Sequence, residues 1–455
     1  MPATLDTLAD ILKEFYLGPI QEQLNNEVLC LELFEKVTTD WAGKQVVIPV
    51  HLDRNTGVGV SKTGSLPTAG EQTYDQLVVT AENLYGRFQI TGDAISAMKS
   101  SKGTFAGYVD AEMNKLVNDV RNYANVCTVS GGPVVGFFWA IDAAATKTNN
   151  AYCGQFQMPD GTAFGTGTEP AGDAANQLVE FIDVSFPDGT YDVIPALGNH
   201  KVNAISADKI TLQSAPATNA SAGVMAVMAV TTTGGALGNA TSLKYNEDPS
   251  SADCTSANSV ADDEPIGILG NLCSPTHFGV DRSVAAGANL RSVIKLAGAA
   301  TTGQTAVFGA LSLDDLQGIL DDVHVQSGTS PNLFLMHPSM RVSYTGLLQG
   351  TQSSAGNSLV VDTDKARHGD GGFLSLGYSG VPIKTSRAVP KGIIIAISTK
   401  TWKLCELQKG GFADLDGNVL SRVSNEDAYE GYYRWYYNTT CVRPNANGII
   451  AGVSF

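Results

Sequence analysis

The sequence predicts an α+β chain of 455 residues in which helices and long strands surround an inserted, acidic all-β unit. Three observations carry that expectation. Residues 104–128 hold the strongest helical pattern in the chain. Two β-rich runs, 45–52 and 76–91, are joined by more than twenty Gly-rich residues without helical periodicity. Composition then shifts near residue 150 and shifts back near 263. At roughly 100–200 residues per domain, the length suits two to four folded units.

The first element is an amphipathic N-terminal segment. Leu5, Leu8, Ile11, Leu12 and Phe15 recur at helical spacing, and Gly18-Pro19 interrupts them. Leu24, Val28, Leu31 and Phe34 form a second stripe. Two short amphipathic helices cannot bury their stripes alone, so they need the rest of the chain or a neighbour. Next come Gln45–Leu52 and Gln76–Thr91, with Leu84, Phe88 and Ile90 at even spacings. These read as a two-stranded arm with a tip around 53–75. Such long connections are uncommon in compact domains and are usually functional. An isolated hairpin is only marginally stable in water.

Asp93 caps a short expected helix, AISAMKS. Thr104 caps the long one, whose stripe is Phe105, Val109, Met113, Leu116, Val120, Tyr123 and Cys127. Asn114, Asn118, Arg121, Asn122 and Asn125 line its other face. Residues 150–262 hold twelve acids against Lys201, Lys209 and Lys244, a net charge of −9. Turn signals between FIDVSF, YDVIPAL, KVNAIS and KITLQSA give this insertion the spacing of a small sandwich or barrel. Beyond it, Leu311–Val325 and Pro338–Leu348 read as helices. Asn332–Met336, Gly392–Ile397, Tyr429–Cys441 and the final GIIAGVSF read as strands.

Composition excludes several functions. The chain is 43% hydrophobic and only 16% charged, with ample apolar surface to fold. A net charge of −16 argues against a general cationic surface for nucleic acid. Seven scattered Cys, none in Cys-x-x-Cys, read as reduced thiols. The first residues, with early acids and no unbroken apolar core, do not read as a signal peptide, and no run reaches the roughly 18 apolar residues of a membrane span. No His pair has metal-ligand spacing, and Asp362-x-Asp364 lacks the glutamate of a calcium loop. No phosphate loop is present, and GYSG at 377–380 lacks the spacer of a nucleophile elbow. The expectation is therefore no enzyme, no cofactor and no metal. The aromatic strand 429–437 is acid-flanked, which favours core packing or a subunit contact over base or sugar stacking.

The order of elements resembles the major capsid proteins of tailed bacteriophages, the Hong Kong 97 type fold. LGPIQEQLNNEVLCLELFEK resembles that family's N-terminal arm. GKQVVIPVHLDRNTGVG with GSLPTAGEQTYDQLVVTAENLYGRFQITGDAI resembles its extended loop and return strand. TFAGYVDAEMNKLVNDVRNYAN is similar to the spine helix, and EPIGILGNL to a strand entering the centre. GYSGVPIKTSRAVPKG and NEDAYEGYYRWYYNTTCVRPNA resemble the axial tip and a peripheral strand. The insertion lies outside the shared pattern.

The resemblance implies an N-terminal arm at 1–44, an extended loop at 45–92 and a peripheral domain at 93–149 containing the spine helix 104–128. The composition shift sets the inserted domain at 150–262, and the resemblance implies an axial domain at 263–425. A peripheral strand and the final axial strand fill 426–455. It implies self-assembly into pentamers and hexamers of an icosahedral head enclosing double-stranded DNA without sequence-specific binding. The setting would be the virion capsid, assembled in a host bacterial cytoplasm away from membranes. Scaffolding, portal and decoration proteins are the expected partners; because the chain starts almost at the arm, the scaffold is expected to be separate or removed by proteolysis. Residues expected to meet neighbouring subunits are Leu24, Val28, Leu31, Asn55, Lys62, Leu66, Pro67, Gln72, Tyr74, Arg87 and Tyr378. Lys62 occupies the tip position of a crosslinking lysine, with no evident partner Asn or buried Glu. The alternatives are an encapsulin-like compartment shell, which shares the fold, and a β-rich carbohydrate-binding adhesin.

Overall fold

Apolar alternation and helical periodicity build sheets and helices around several buried apolar clusters. The computed structural model describes residues 29–37, 41, 43–62, 64–93, 102–132, 134–141, 264–297, 309–355, 376–414, 420–423 and 426–454. Between 150 and 230 it describes strand backbones only. A 3₁₀ turn, Leu31–Leu33, leads into β1 (Glu35–Val37). β2 (Gln45–Asp53) and β3 (Thr73–Thr80) form an antiparallel ribbon from Gln45↔Thr80 to Asp53↔Thr73. Pro49 is tolerated because, among the described residues, β2 pairs on one side only. β4 (Glu82–Thr91) follows after the single residue Ala81.

The expected helix 104–128 runs as α1 (Lys102–Ser130). Val120, Ala124, Val126, Cys127 and Val129 are buried along it. The expected helix 94–100 lies outside the described residues, as do Leu24 and Val28.

The insertion comprises β5 (Val134–Ile141), β6 (Asn150–Cys153), β7 (Phe156–Gln157), β8 (Ala163–Phe164), β9 (Leu178–Asp183), β10 (Asp192–Val193), β11 (His200–Ile205), β12 (Lys209–Leu212) and β13 (Ala226–Val230). The order β9-β11-β12-β6-β5-β13 returns to β9, closing an antiparallel barrel. β10 attaches to β9, and β7 pairs with β8. The barrel recruits β5, so this unit begins some sixteen residues before the expected boundary at 150.

EPIGILGNL was expected as a strand and instead forms helix α2 (Ile268–Cys273). Short apolar runs do not distinguish the two states by periodicity. Here the Asn271 side chain donates to the Ile266, Gly267 and Thr439 carbonyls and accepts from Cys441 N, fixing the helix against a distant strand. A small hairpin follows, β14 (Thr276–His277) and β15 (Val280–Asp281), then β16 (Val293–Leu296). α3 (Leu313–Ser327) starts at a capping box between Ser312 and Asp315. β17 (Leu333–Met336), α4 (Pro338–Ala355), β18 (Leu376–Tyr378), β19 (Val381–Thr385) and β20 (Ile393–Ile397) come next. β21 (Trp402–Phe412), β22 (Ser421–Arg422), β23 (Ala428–Cys441) and β24 (Gly448–Ala451) complete the chain.

Two sheets organise the cores. One runs β16-β24-β20-β17-β19-β18, and its all-buried strands β17, β20 and β24 pack with α3. The other has β21 beside β23, with β22 on the same side of β23 as β21 and β4 on the opposite side. β1 adds to β21 in parallel. α1 packs beneath this second sheet, and its core continues through α2 into β20 and β24.

Candidate functional site

The surfaces that bear on function are the N-terminal strap, the ribbon and the outer face of the β21–β23–β4 sheet. The strap is held by its own chain. Asn125 Oδ1 accepts from the backbone N–H groups of Cys30 (2.9 Å) and Leu31 (3.3 Å). The ring of Phe34 stacks on Trp402, with centroids 5.0 Å apart and planes 8° from parallel. Leu31, expected at a subunit contact, is instead buried in this chain's core. Its apolar stripe signalled burial correctly but not which core would cover it.

The ribbon divides into a covered base and an open tip. Val46, Val50 and Leu52 of β2 and Leu77 and Val79 of β3 alternate inward. They pack on Val280, Leu290, Phe278 and Cys405. Val78 N donates to Phe278 O (2.9 Å), and Asn289 Nδ2 to Leu52 O (2.6 Å). The expected unit 45–92 therefore splits at Ala81. β4 pairs with β23 from Thr91↔Ala428 to Glu82↔Tyr437 and belongs to the body, not the ribbon.

At the tip, Val58, Val60 and Leu66 are 87%, 103% and 92% exposed. Lys62, Pro67 and Gln72 are exposed as well. Asn55 Oδ1 accepts from Gly57 N (2.6 Å) and shapes the turn. Tyr74 donates to Gln72 Oε1 (2.6 Å) and packs on His51. Asn55, Lys62, Leu66, Pro67 and Gln72, all expected at subunit contacts, thus gather at the open end of one ribbon. Tyr74, on β3, sits beside them.

Arg87 and Tyr378 lie elsewhere and interact within the chain. Arg87 pairs with Glu430 at 2.6 Å on the exposed sheet face. Tyr378 donates to Gln317 Oε1 (3.3 Å), and burial raises its pKa. The adjoining GYSG is a tight hairpin turn, with Ser379 and Gly380 at φ of 51° and 80°.

The aromatic strand splits by face. Tyr433, Trp435 and Tyr437 point into the core, while Arg434 and Tyr436 face outward between Tyr85 and β21. Tyr85 donates to Tyr436 Oη (3.1 Å), and this bond raises the Tyr85 pKa.

Sequence reasoning missed the buried polar groups. Asn125 was expected outward. Glu264, buried, accepts from Tyr123 Oη and Gly132 N, both at 3.2 Å. Arg282, fully buried, donates to the Leu272 and Asn271 carbonyls and closes the end of α2. Burial, reinforced by Arg282, holds His277 well below its ordinary pKa; its Nε2 lies 2.8 Å from Cys441 O. Burial pushes the Cys441 thiol up to about 12, so it is protonated at neutral pH. Nothing in the local sequence marks these groups, because their partners are remote. Among the described residues no cluster of His, Cys, Asp or Glu is placed to hold a metal, and no helix is long and apolar enough to cross a membrane.

No protein-family model matches the sequence, and no curated protein does. Solved structures do match. A chain in the capsid asymmetric unit of cyanophage A-1(L) is 11% identical, with all of both chains covered and a TM-score of 0.56. This chain has the phage capsid fold. Two further matches are the capsid of a native GTA particle (8% identity, all of both chains covered, TM-score 0.48) and a chain of Gordonia phage Cozz (10%, 100% of this chain and 96% of that one, TM-score 0.47).

Proposed function

We propose that this protein is a shell-forming major capsid protein, whose copies assemble as pentamers and hexamers into an icosahedral head around double-stranded DNA. The observation that carries this reading is the fold, shared over its full length with a chain of a phage capsid. The ribbon adds a physical argument. Its base is anchored to the body, while its tip carries exposed Val58, Val60 and Leu66 without local cover. Apolar area removed from water contributes about 25 cal/mol per Å², so cover from a neighbouring copy stabilises an assembly. The net charge of −16 suits a container, because a wall that clung to phosphates would hinder packaging.

The domain roles follow. The body around α1 and β23 forms the peripheral part, the β16–β24 sheet with α3 the axial part, and the barrel an appended unit. Scaffolding, portal and decoration proteins and assembly in a bacterial cytoplasm belong to the same proposal. Negative-stain microscopy of the purified protein tests it. Closed shells or ring-shaped capsomers are expected, and a monodisperse monomer contradicts it. Nuclease-protected DNA in particles from infected cells separates a viral head from a protein-filled compartment.

A further inference from the structure

A buried histidine seats the bracket that joins the ribbon base to the body. The bracket is the β14–β15 hairpin with the 3₁₀ turn 285–290 behind it. His277 and Val280 pair across a two-residue turn, Phe278-Gly279. Phe278 has a φ of 46° and Gly279 of 98°, a left-handed conformation that a residue with a Cβ rarely adopts. Two sets of contacts keep the turn in it. One is with the ribbon: the Phe278 ring packs into both apolar clusters at the base, and its carbonyl accepts from Val78 N (2.9 Å). The other is with the body: the buried His277 ring lies against Phe278, and its Nε2 donates to Cys441 O at 2.8 Å.

The charge that acts on this ring is a positive one. Arg282, fully buried at the end of the hairpin, donates to the Leu272 and Asn271 carbonyls and opposes a proton on His277. The thiols of Cys273 on α2 and Cys441 on β23 are held protonated by burial. The acids of the surrounding elements are engaged or exposed. Asp281 is exposed and accepts from Ser283 N (2.8 Å) and Oγ (2.7 Å). His51, Asp53 and Asp75 of the ribbon are exposed too. Glu406 of β21 accepts from Trp435 Nε1 (3.2 Å) and pairs with Lys36 (3.9 Å), and Lys403 is half-buried. Arg443, after β23, donates to Ser327 O, and Arg291 to the Arg282 and Ser283 carbonyls.

We propose that the bracket is an acid-opened latch: when His277 takes a proton, the 276–281 hairpin leaves its seat and frees the ribbon base, while the sheets of the body stay folded. The latch concerns the single chain and stands apart from the capsid reading. In the closed form burial, and then Arg282, hold His277 well below 6.5. In the open form the ring meets water and binds a proton near its ordinary value of about 6.5. Opening is therefore favoured about tenfold more for each pH unit below that value, until the closed form itself takes the proton. Release also lets Phe278 leave its left-handed conformation, so the turn's strain works in the same direction.

Hydrogen exchange on the full-length protein, corrected for intrinsic rates, tests this between pH 7 and 5. In the wild type, protection at 76–80 and 276–281 should fall by about tenfold or more, while α1 and β20 keep theirs. His277→Gln, whose amide can donate to the Cys441 carbonyl without gaining charge, should show equal protection at the two pH values. His337→Gln, outside the bracket, should keep the wild-type fall. Wild-type protection that does not change, or that falls equally in β20, overturns the latch. A folded His277→Gln chain that keeps the fall overturns it as well. Should that variant not fold, the wild-type contrast between the hairpin and β20 decides alone.

Discussion

The base and the tip of the β2–β3 ribbon share two strands and differ in what covers them. At the base, inward residues of both strands meet 278–290 and are bound by Asn289 and the Phe278 carbonyl. At the tip, comparable apolar residues meet only solvent. The difference teaches that extension alone does not make an element depend on a neighbour. The N-terminal strap makes the same point: 29–37, a 3₁₀ turn followed by a short strand, stays home, held by Asn125 and by the Phe34–Trp402 stack. What remains for a neighbour to cover is narrower than the whole arm and loop.

Substitutions sharpen that contrast. Leu77→Asp places a carboxylate where the side chain is wholly buried. Loss of a buried Leu alone costs about 2–5 kcal/mol, and an unpaired charge adds to it. We expect insoluble or unfolded protein in expression trials. Phe34→Ala removes a buried ring and its stack, and should lower stability in urea by about 3–5 kcal/mol. A loss below about 1 kcal/mol would show the strap to be an ornament on the body.

Proton binding probes the hairpin that supports the base. His277 adjoins Phe278, with ring centroids 5.1 Å apart, and is held far below its usual 6.5 by burial and then by Arg282. Below pH 6.5 the unfolded chain binds a proton that the folded chain refuses. Stability is therefore full above that pH and falls as pH drops toward the folded value. His337 is lowered too and acts with the same sign. His277→Gln should flatten the fall in urea midpoint between about pH 7 and 5. An unchanged slope would show that His277 does not govern it.

Smaller effects follow. Asn289→Ala should cost about 1 kcal/mol and speed hydrogen exchange at 50–52. Leu66→Ala should leave stability within about 0.5 kcal/mol while lowering assembly yield. A strongly destabilised Leu66→Ala would erase the distinction between base and tip.

Much of the body was legible. The helices α1 and α3 and the strand β23 follow from local spacing, as does the β character of the insertion. Partner choice was not. β3 and β4 both alternate, and only Ala81 separates them; β3 pairs 20 to 35 residues back toward β2, while β4 reaches β23 some 340 residues on. Asn125 is polar and read as solvent-facing because its partners, Cys30 and Leu31, lie over ninety residues away. The tip was legible for the opposite reason: Gly-rich sequence with no periodicity has no core to join, and none covers it.

Static light scattering on the wild type and on a variant lacking 56–72 tests most directly whether the tip needs a neighbour. Capsomer or shell mass is expected for the wild type and, for the variant, a folded particle near the mass of one chain. Equal assembly by the two proteins, or a wild type that stays monomeric at every concentration, would contradict it.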